Sequence, residues 1–188
     1  MPFSQSSQLS TIVGFFESRQ PRSVLDVGTG MGQYGFLLRN NLEQTGLFVI
    51  EGASGRQARK DEWRVRIDGI EGCEAYHTAV HDYAYNVMFW GEALAELQRL
   101  PSRGYEAVMA IDILEHFDQP QGVRFLEELK RVASGFVLVS TPKDFHAQTV
   151  EANPLENHRS VWTAEELAAA GFDHILENGE SWIVVHNA

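Results

Sequence analysis

The chain has 188 residues, 44% of them hydrophobic and 22% charged, which is the balance of one ordinary globular domain rather than of a disordered or fibrous chain. Its one cysteine, Cys73, excludes an internal disulfide and any zinc site built on cysteines. With 15 Lys and Arg against 26 Asp and Glu, the net charge of -11 disfavours nucleic acid and anionic lipid as partners.

Short β-branched runs alternate with helical patterns, which predicts an α/β sheet. Residues 1–21 read as a lead-in and an opening helix over 10–19, with Ile12, Phe15 and Phe16 at helical spacing. Residues 23–27 form the first strand, 28–32 a glycine turn and 33–43 a helix. The second strand has two candidates, 47–51 and 65–71, and the polar stretch 52–62 between them reads as a loop. A helix over 73–85 and a third strand over 86–90 follow, then a helix over 91–100 and a fourth strand over 105–111. Residues 120–133 place Val123, Leu126, Leu129 and Val132 on one helical face. Residues 135–140 are almost continuously apolar, as in a central strand. A polar loop over 141–161 is long enough to predict a functional role. Thr163 with Glu166 predicts a capping box, Gly171 ends that helix, and 173–177 and 181–186 close the chain as a hairpin about Asn178-Gly179.

No apolar run approaches the roughly 20 residues of a membrane helix. The start, Met1-Pro2-Phe3-Ser4-Gln5, lacks the basic segment of a signal peptide. The expectation is a single domain over 1–188, with its core from residue 22 onward, in the cytoplasm.

The most informative run is Val24-Leu25-Asp26-Val27-Gly28-Thr29-Gly30-Met31-Gly32. A strand leads into glycines and then into a helix, the arrangement of a nucleotide-type site at the end of a first strand. Gly30-Met31-Gly32-Gln33-Tyr34-Gly35 matches the dinucleotide pattern G-x-G-x-x-G, but it begins three residues past the strand. Asp26 opposes a pyrophosphate and suits a ligand bearing an ammonium or a sulfonium.

This run resembles the first motif of the Rossmann-like, class I S-adenosylmethionine-dependent methyltransferases, with Thr29 where a small residue is usual. The resemblance continues in order through Asp112-Ile113-Leu114-Glu115-His116, Ser140-Thr141-Pro142 and Trp162-Thr163-Ala164-Glu165-Glu166-Leu167. It implies a three-layer α/β sandwich: a mostly parallel seven-stranded sheet with an antiparallel last strand and helices on both faces. It implies S-adenosylmethionine as cofactor and methyl transfer as the activity, with a small-molecule acceptor expected. It also implies roles. Asp26, Gly28, Thr29 and Gly30 would meet the methionine part of the cofactor. An acid ending the second strand, Glu71 in preference to Glu51, would take the ribose hydroxyls. Glu92 and Ala93 would read the adenine, unless Glu92 is only a first-turn residue favoured by the helix dipole. Asp112 falls at the carboxyl edge of the sheet, where a helix N-cap is the alternative.

Glu115, His116 and His158 are the candidate catalytic residues. His116 has the pKa range of a base, or else caps a loop. His158, with Asn157 and Arg159, suits a polar or anionic acceptor, and His146 and Trp162 sit on or beside the same loop. His77 and His81 share a helical face, but nothing completes a metal motif there, and no metal is expected. The basic run Arg56, Arg59, Lys60, Arg64 and Arg66 is either a solvated face or a patch over a ligand. Tyr83, Tyr85, Phe89 and Trp90 read as packing. Two rival functions stay open: an NAD(P)-dependent oxidoreductase using Gly30, Gly32 and Gly35, and a non-catalytic S-adenosylmethionine-binding module.

Overall fold

Helix α1 (Leu9–Arg19) buries Ile12 and Phe16 and stops where Gln20 turns left-handed, at φ 48°. Strand β1 (Ser23–Val27) runs into the glycine loop and then into α2 (Gln33–Glu43). β2 (Phe48–Glu51) and β3 (Ser54–Gln57) follow, then β4 (Arg66–Glu71), α3 (Ala79–Ala84) and β5 (Val87–Trp90). The chain continues through α4 (Ala93–Arg99), β6 (Tyr105–Ile111), α5 (Gln119–Val132) and β7 (Ala133–Pro142). It closes with α6 (Ala164–Ala169), β8 (His174–Leu176) and β9 (Ser181–Asn187). This computed structural model describes Ser4 and residues 6–188.

Seven strands make one sheet in the order β5-β4-β1-β6-β7-β9-β8. The strands from β5 to β7 pair in parallel, and β9 pairs antiparallel with both β7 and β8. The antiparallel strand follows from a short connection, because a parallel one needs a crossover of a dozen residues or more. Asn178 sets the turn: its Oδ1 accepts from the N–H of Glu180 and of Ser181.

The sheet is covered on both faces, so its central strands read as continuous apolar runs while their side chains alternate between two cores. Leu25, Val108 and Val137 face Leu97, Phe125, Leu129 and Leu167 of α4, α5 and α6. Val24, Met109 and Leu138 face Ile12, Phe16 and Leu38 of α1 and α2. Among the described residues no helix is long and apolar enough to cross a membrane.

Two local expectations are corrected. Residues 52–62 are not a plain loop: β2 and β3 form an antiparallel hairpin of their own, turning at Gly52 with φ 64°. Nor is 73–85 one helix. A short turn at Glu74–Tyr76 ends before Thr78, whose hydroxyl accepts from Val80 N–H and starts α3. A side chain that satisfies the backbone at a cap competes with continuing the helix through it.

The strand order reverses between β1 and β6. β1 pairs with β4 on one side and with β6 on the other, so the connecting chains leave in opposite directions and open a crevice at the carboxyl ends.

Candidate functional site

The crevice holds a cavity of about 120 Å³ that opens to solvent. The glycine loop is its floor. Gly28 and Thr29 donate their N–H groups to Ile70 O at 2.9 and 3.2 Å, which ties the loop to the end of β4. Gly28 has φ 79°, and a Cβ there would lie 2.7 Å from Ile113 Cδ1, so only glycine fits. Gly30 donates to Glu71 Oε2 and Cys73 to Glu71 Oε1, both at 2.8 Å. Each carboxylate oxygen of Glu71 keeps a further lone pair for a ligand. Burial raises the Glu71 pKa.

Gly28, Thr29, Gly30, Glu71, Glu92, Ala93, Asp112 and His116 all wall this cavity. Glu92 stands before α4 and makes no capping bond with its side chain. Glu51 does not wall the cavity; it lies on the β2–β3 hairpin and accepts from Arg56 at 3.1 Å.

Asp26 does not wall the cavity either, contrary to the expectation that it meets the ligand directly. It lies at the base of the loop, 2% exposed, where Tyr85 OH donates to its Oδ2 at 2.6 Å. Burial pushes its pKa up to about 7, against the lowering effect of the Tyr85 bond. Tyr85 reaches it because Gly35 carries no side chain: a Cβ there would lie 2.0 Å from the Tyr85 ring. The third glycine of the dinucleotide-like frame is thus explained by packing.

His81 supports the loop from the same side. Its Nδ1 accepts from Thr78 N–H at 3.1 Å, so its Nε2 carries the proton and meets Thr29 Oγ1 at 3.2 Å. Burial lowers its pKa, so the ring is neutral. Both His81 nitrogens are engaged within the protein, and His77 Nε2 pairs with Asp82 Oδ1 at 2.9 Å.

Asp112 has φ 51° without being glycine, a conformation that concentrates at functional positions. Its Oδ2 accepts from Gln8 Nε2 at 2.6 Å and its Oδ1 from the Ser140 hydroxyl at 3.0 Å, while that hydroxyl also touches Gln8 Oε1. It is not a helix N-cap. Burial raises its pKa.

Beyond Asp112, the turn Leu114–His116 and the loop after β7 bring Glu115, His116 and His158 together. Glu115 is buried and accepts from the Thr141 hydroxyl at 3.1 Å, and burial pushes its pKa up to about 8, with the charge of Asp112 adding to the rise. His116 Nδ1 faces Asn157 O at 3.3 Å, and burial lowers its pKa. The His116 and His158 rings lie 5.1 Å apart.

Other candidates fall elsewhere. Trp162 does not face the cavity: it is 2% exposed in the core beside Gly122, with its ring nitrogen donating to Ser160 Oγ. The basic run is consumed in local pairs. Arg56 holds Glu62, Lys60 Nζ donates to Tyr85 O, Arg64 donates to Glu43 O, and Arg66 holds Asp68. None of these residues walls the cavity. Sequence reasoning missed Tyr34, Asn153, Leu155 and Glu156 in the wall, and Gln8 at its edge. Only Glu156 carried a signal, its place next to Asn157 and His158.

No protein-family model matches the chain, and no curated protein matches it. Solved structures do match. The PH0226 protein from Pyrococcus horikoshii OT3 aligns with a TM-score of 0.66 at 18% identity, covering 99% of this chain and 92% of that one. A SAM-dependent methyltransferase from Aquifex aeolicus aligns with a TM-score of 0.61 at 19% identity, covering 97% and 93%. An O-methyltransferase family protein from Burkholderia thailandensis gives 0.64 at 14% identity over 96% of this chain, which spans only 56% of that longer protein. At such identities the likeness establishes the fold. It is an α/β fold built on one seven-stranded sheet, and two of these three neighbours are described as methyltransferases.

Proposed function

We propose that this chain is an S-adenosylmethionine-dependent methyltransferase acting on a small-molecule acceptor, with residues 1–188 as one methyltransferase domain. One observation carries the reading. Among the described residues the cavity wall holds Glu71, Glu92, Asp112 and Glu156 and no Lys or Arg. Such a wall repels the pyrophosphate of a dinucleotide and attracts a ligand bearing a sulfonium and an ammonium. That wall, more than the glycine pattern, weighs against the rival oxidoreductase reading.

The division of labour follows from position. Gly28, Thr29 and Gly30 offer close backbone approach to the methionine part, and Glu71 takes the ribose hydroxyls. Glu92 and Ala93 stand at the end of β5, on the adenine side. Asp112 divides the cofactor side from the acceptor side. Asp26 acts through the loop it underlies, by adding negative charge beneath it. S-adenosylmethionine supplies an already activated methyl group, so the protein's part is to position the reactants and exclude water. Gln8 and the loop over 143–161 enclose the acceptor side, where His116 walls the cavity and Glu115 and His158 stand behind it.

Calorimetric titration with S-adenosylhomocysteine, and separately with NAD, tests this. The homocysteine compound binds at one site and NAD does not. Binding of NAD alone overturns the proposal.

A further inference from the structure

Glu115, His116 and His158 come from two segments that the main chain clips together. The N–H groups of Arg159 and Ser160 both donate to Glu115 O, at 2.8 and 3.2 Å, which holds the loop carrying His158 against the turn carrying Glu115 and His116. Each histidine has one nitrogen fixed on a backbone carbonyl: His116 Nδ1 on Asn157 O at 3.3 Å, and His158 Nδ1 on His146 O at 2.6 Å. A ring nitrogen that faces a carbonyl carries the proton, so Nε2 of both rings presents the lone pair. The Thr141 hydroxyl orients the Glu115 carboxylate through Oε2. One ring nitrogen from each histidine and one carboxylate oxygen all lie within 4.8 Å of one another.

We propose that Glu115, His116 and His158 bind one divalent transition-metal ion at the acceptor edge of the cavity. Two imidazoles and a carboxylate select ions such as Mn²⁺, Fe²⁺, Co²⁺ or Zn²⁺, and not Mg²⁺ or Ca²⁺, which take oxygen ligands. Backbone carbonyls on the far nitrogens are the partners that metal-bound histidines ordinarily have, and they fix the tautomer. Ligands about 2.0–2.2 Å from an ion stand roughly 3.4 Å apart in a tetrahedral arrangement, so the three side chains draw inward when it binds. Three protein ligands leave a position open. His116 walls the cavity, so that position faces it and takes an oxygen of the acceptor. Only this last clause rests on the methyl-transfer reading. The general-base role expected of His116 gives way here, since a nitrogen bound to a cation does not take a proton.

The test uses the untagged, metal-stripped full chain, titrated with Co²⁺ and followed by visible absorption and calorimetry in the absence of any other ligand. The expected result is one equivalent bound, with visible Co²⁺ bands. His116→Ala and His158→Ala each weaken binding by at least ~10-fold, while His77→Ala leaves it unchanged and Mg²⁺ at equal concentration does not compete. Glu115→Gln, which keeps the size of the buried side chain, also weakens binding. Absence of Co²⁺ binding at stoichiometric concentrations overturns the proposal, and so does either histidine variant binding as tightly as the unaltered chain. S-adenosylhomocysteine binding is measured on the same samples. If it survives while Co²⁺ binding is absent, only the metal site fails; if Co²⁺ binds and the homocysteine compound does not, only the methyl-transfer reading fails.

Discussion

Two walls face each other across the cavity, and they are built by different means. The first is made of strand ends and backbone. Gly28, Thr29 and Gly30 are tied to the carbonyl of Ile70 and the carboxylate of Glu71 through contacts between neighbouring strands. The second rests on loops and turns: Gln8 lies on Asp112, Thr141 on Glu115, and residues 157–160 are held by their main chain on the turn at 114–116. The first wall is tied to the sheet by hydrogen bonds to the end of β4. The second depends on loops, where binding specificity varies while the scaffold is kept. Variants in the two walls therefore have separable effects.

The largest effect is expected at Gly28. Valine there meets Ile113 at a position with φ 79°, and its β-branch is strained in that conformation. Gly28→Val should abolish S-adenosylhomocysteine binding in a calorimetric titration. Retained affinity would show that the loop is not the floor of the cofactor site. Next is Glu71→Ala, which removes a carboxylate that also orders Gly30 and Cys73. A charged hydrogen bond contributes about 1.5–3 kcal/mol, so affinity should fall roughly 10- to 100-fold. Glu71→Gln should lose less. Under the same titration Glu51→Ala should change nothing.

A smaller effect follows from Asp26, whose pKa burial raises to about 7. A cationic ligand favours the ionised carboxylate, so affinity should climb as pH rises toward 7 and level off above it, by at most ~10-fold per pH unit. Asp26→Asn should flatten that profile. For folding the sign is opposite. A carboxyl raised from its ordinary 3.8 to about 7 contributes stability that is complete below pH ~4 and lost as pH rises through 7. Asp26→Asn should therefore unfold at a higher temperature than the unaltered chain at pH 8, and the difference should shrink toward pH 4.

The smallest effect on the cofactor is expected from the second wall. Gln8→Leu removes the buried amide that donates to Asp112 Oδ2, at a cost of about 1–3 kcal/mol. That should lower the melting temperature by a few degrees and leave S-adenosylhomocysteine affinity nearly unchanged. A large loss of affinity would mean that the two walls do not act separately.

The same division explains what the sequence made legible. The first wall starts from a local pattern, a strand, glycines and a helix, which makes Gly28, Thr29 and Gly30 readable, whereas Glu71, 41 residues from Gly30, is reached only through the family resemblance. Glu92 and Ala93 were placed by order along the chain. The second wall has no period and no motif of its own. Gln8 was read as lead-in because nothing local shows that it folds over Asp112. Trp162 sits beside the long loop in sequence, but its side chain turns into the core against Gly122. The basic run at 56–66 reads in sequence as either a solvated face or a patch, and only the folded chain shows its charges paired with acids or carbonyls. Asp26 was found by pattern, but its depth below the cavity depends on Tyr85, 59 residues away in the sequence.

The most direct test of the proposed function is a crystal structure of the protein grown with S-adenosylhomocysteine. It should show the compound lying along Gly28–Gly30, with both ribose hydroxyls donating to Glu71 and the adenine beside Ala93. Density for the compound elsewhere, or Glu71 turned away from the ribose, would contradict it.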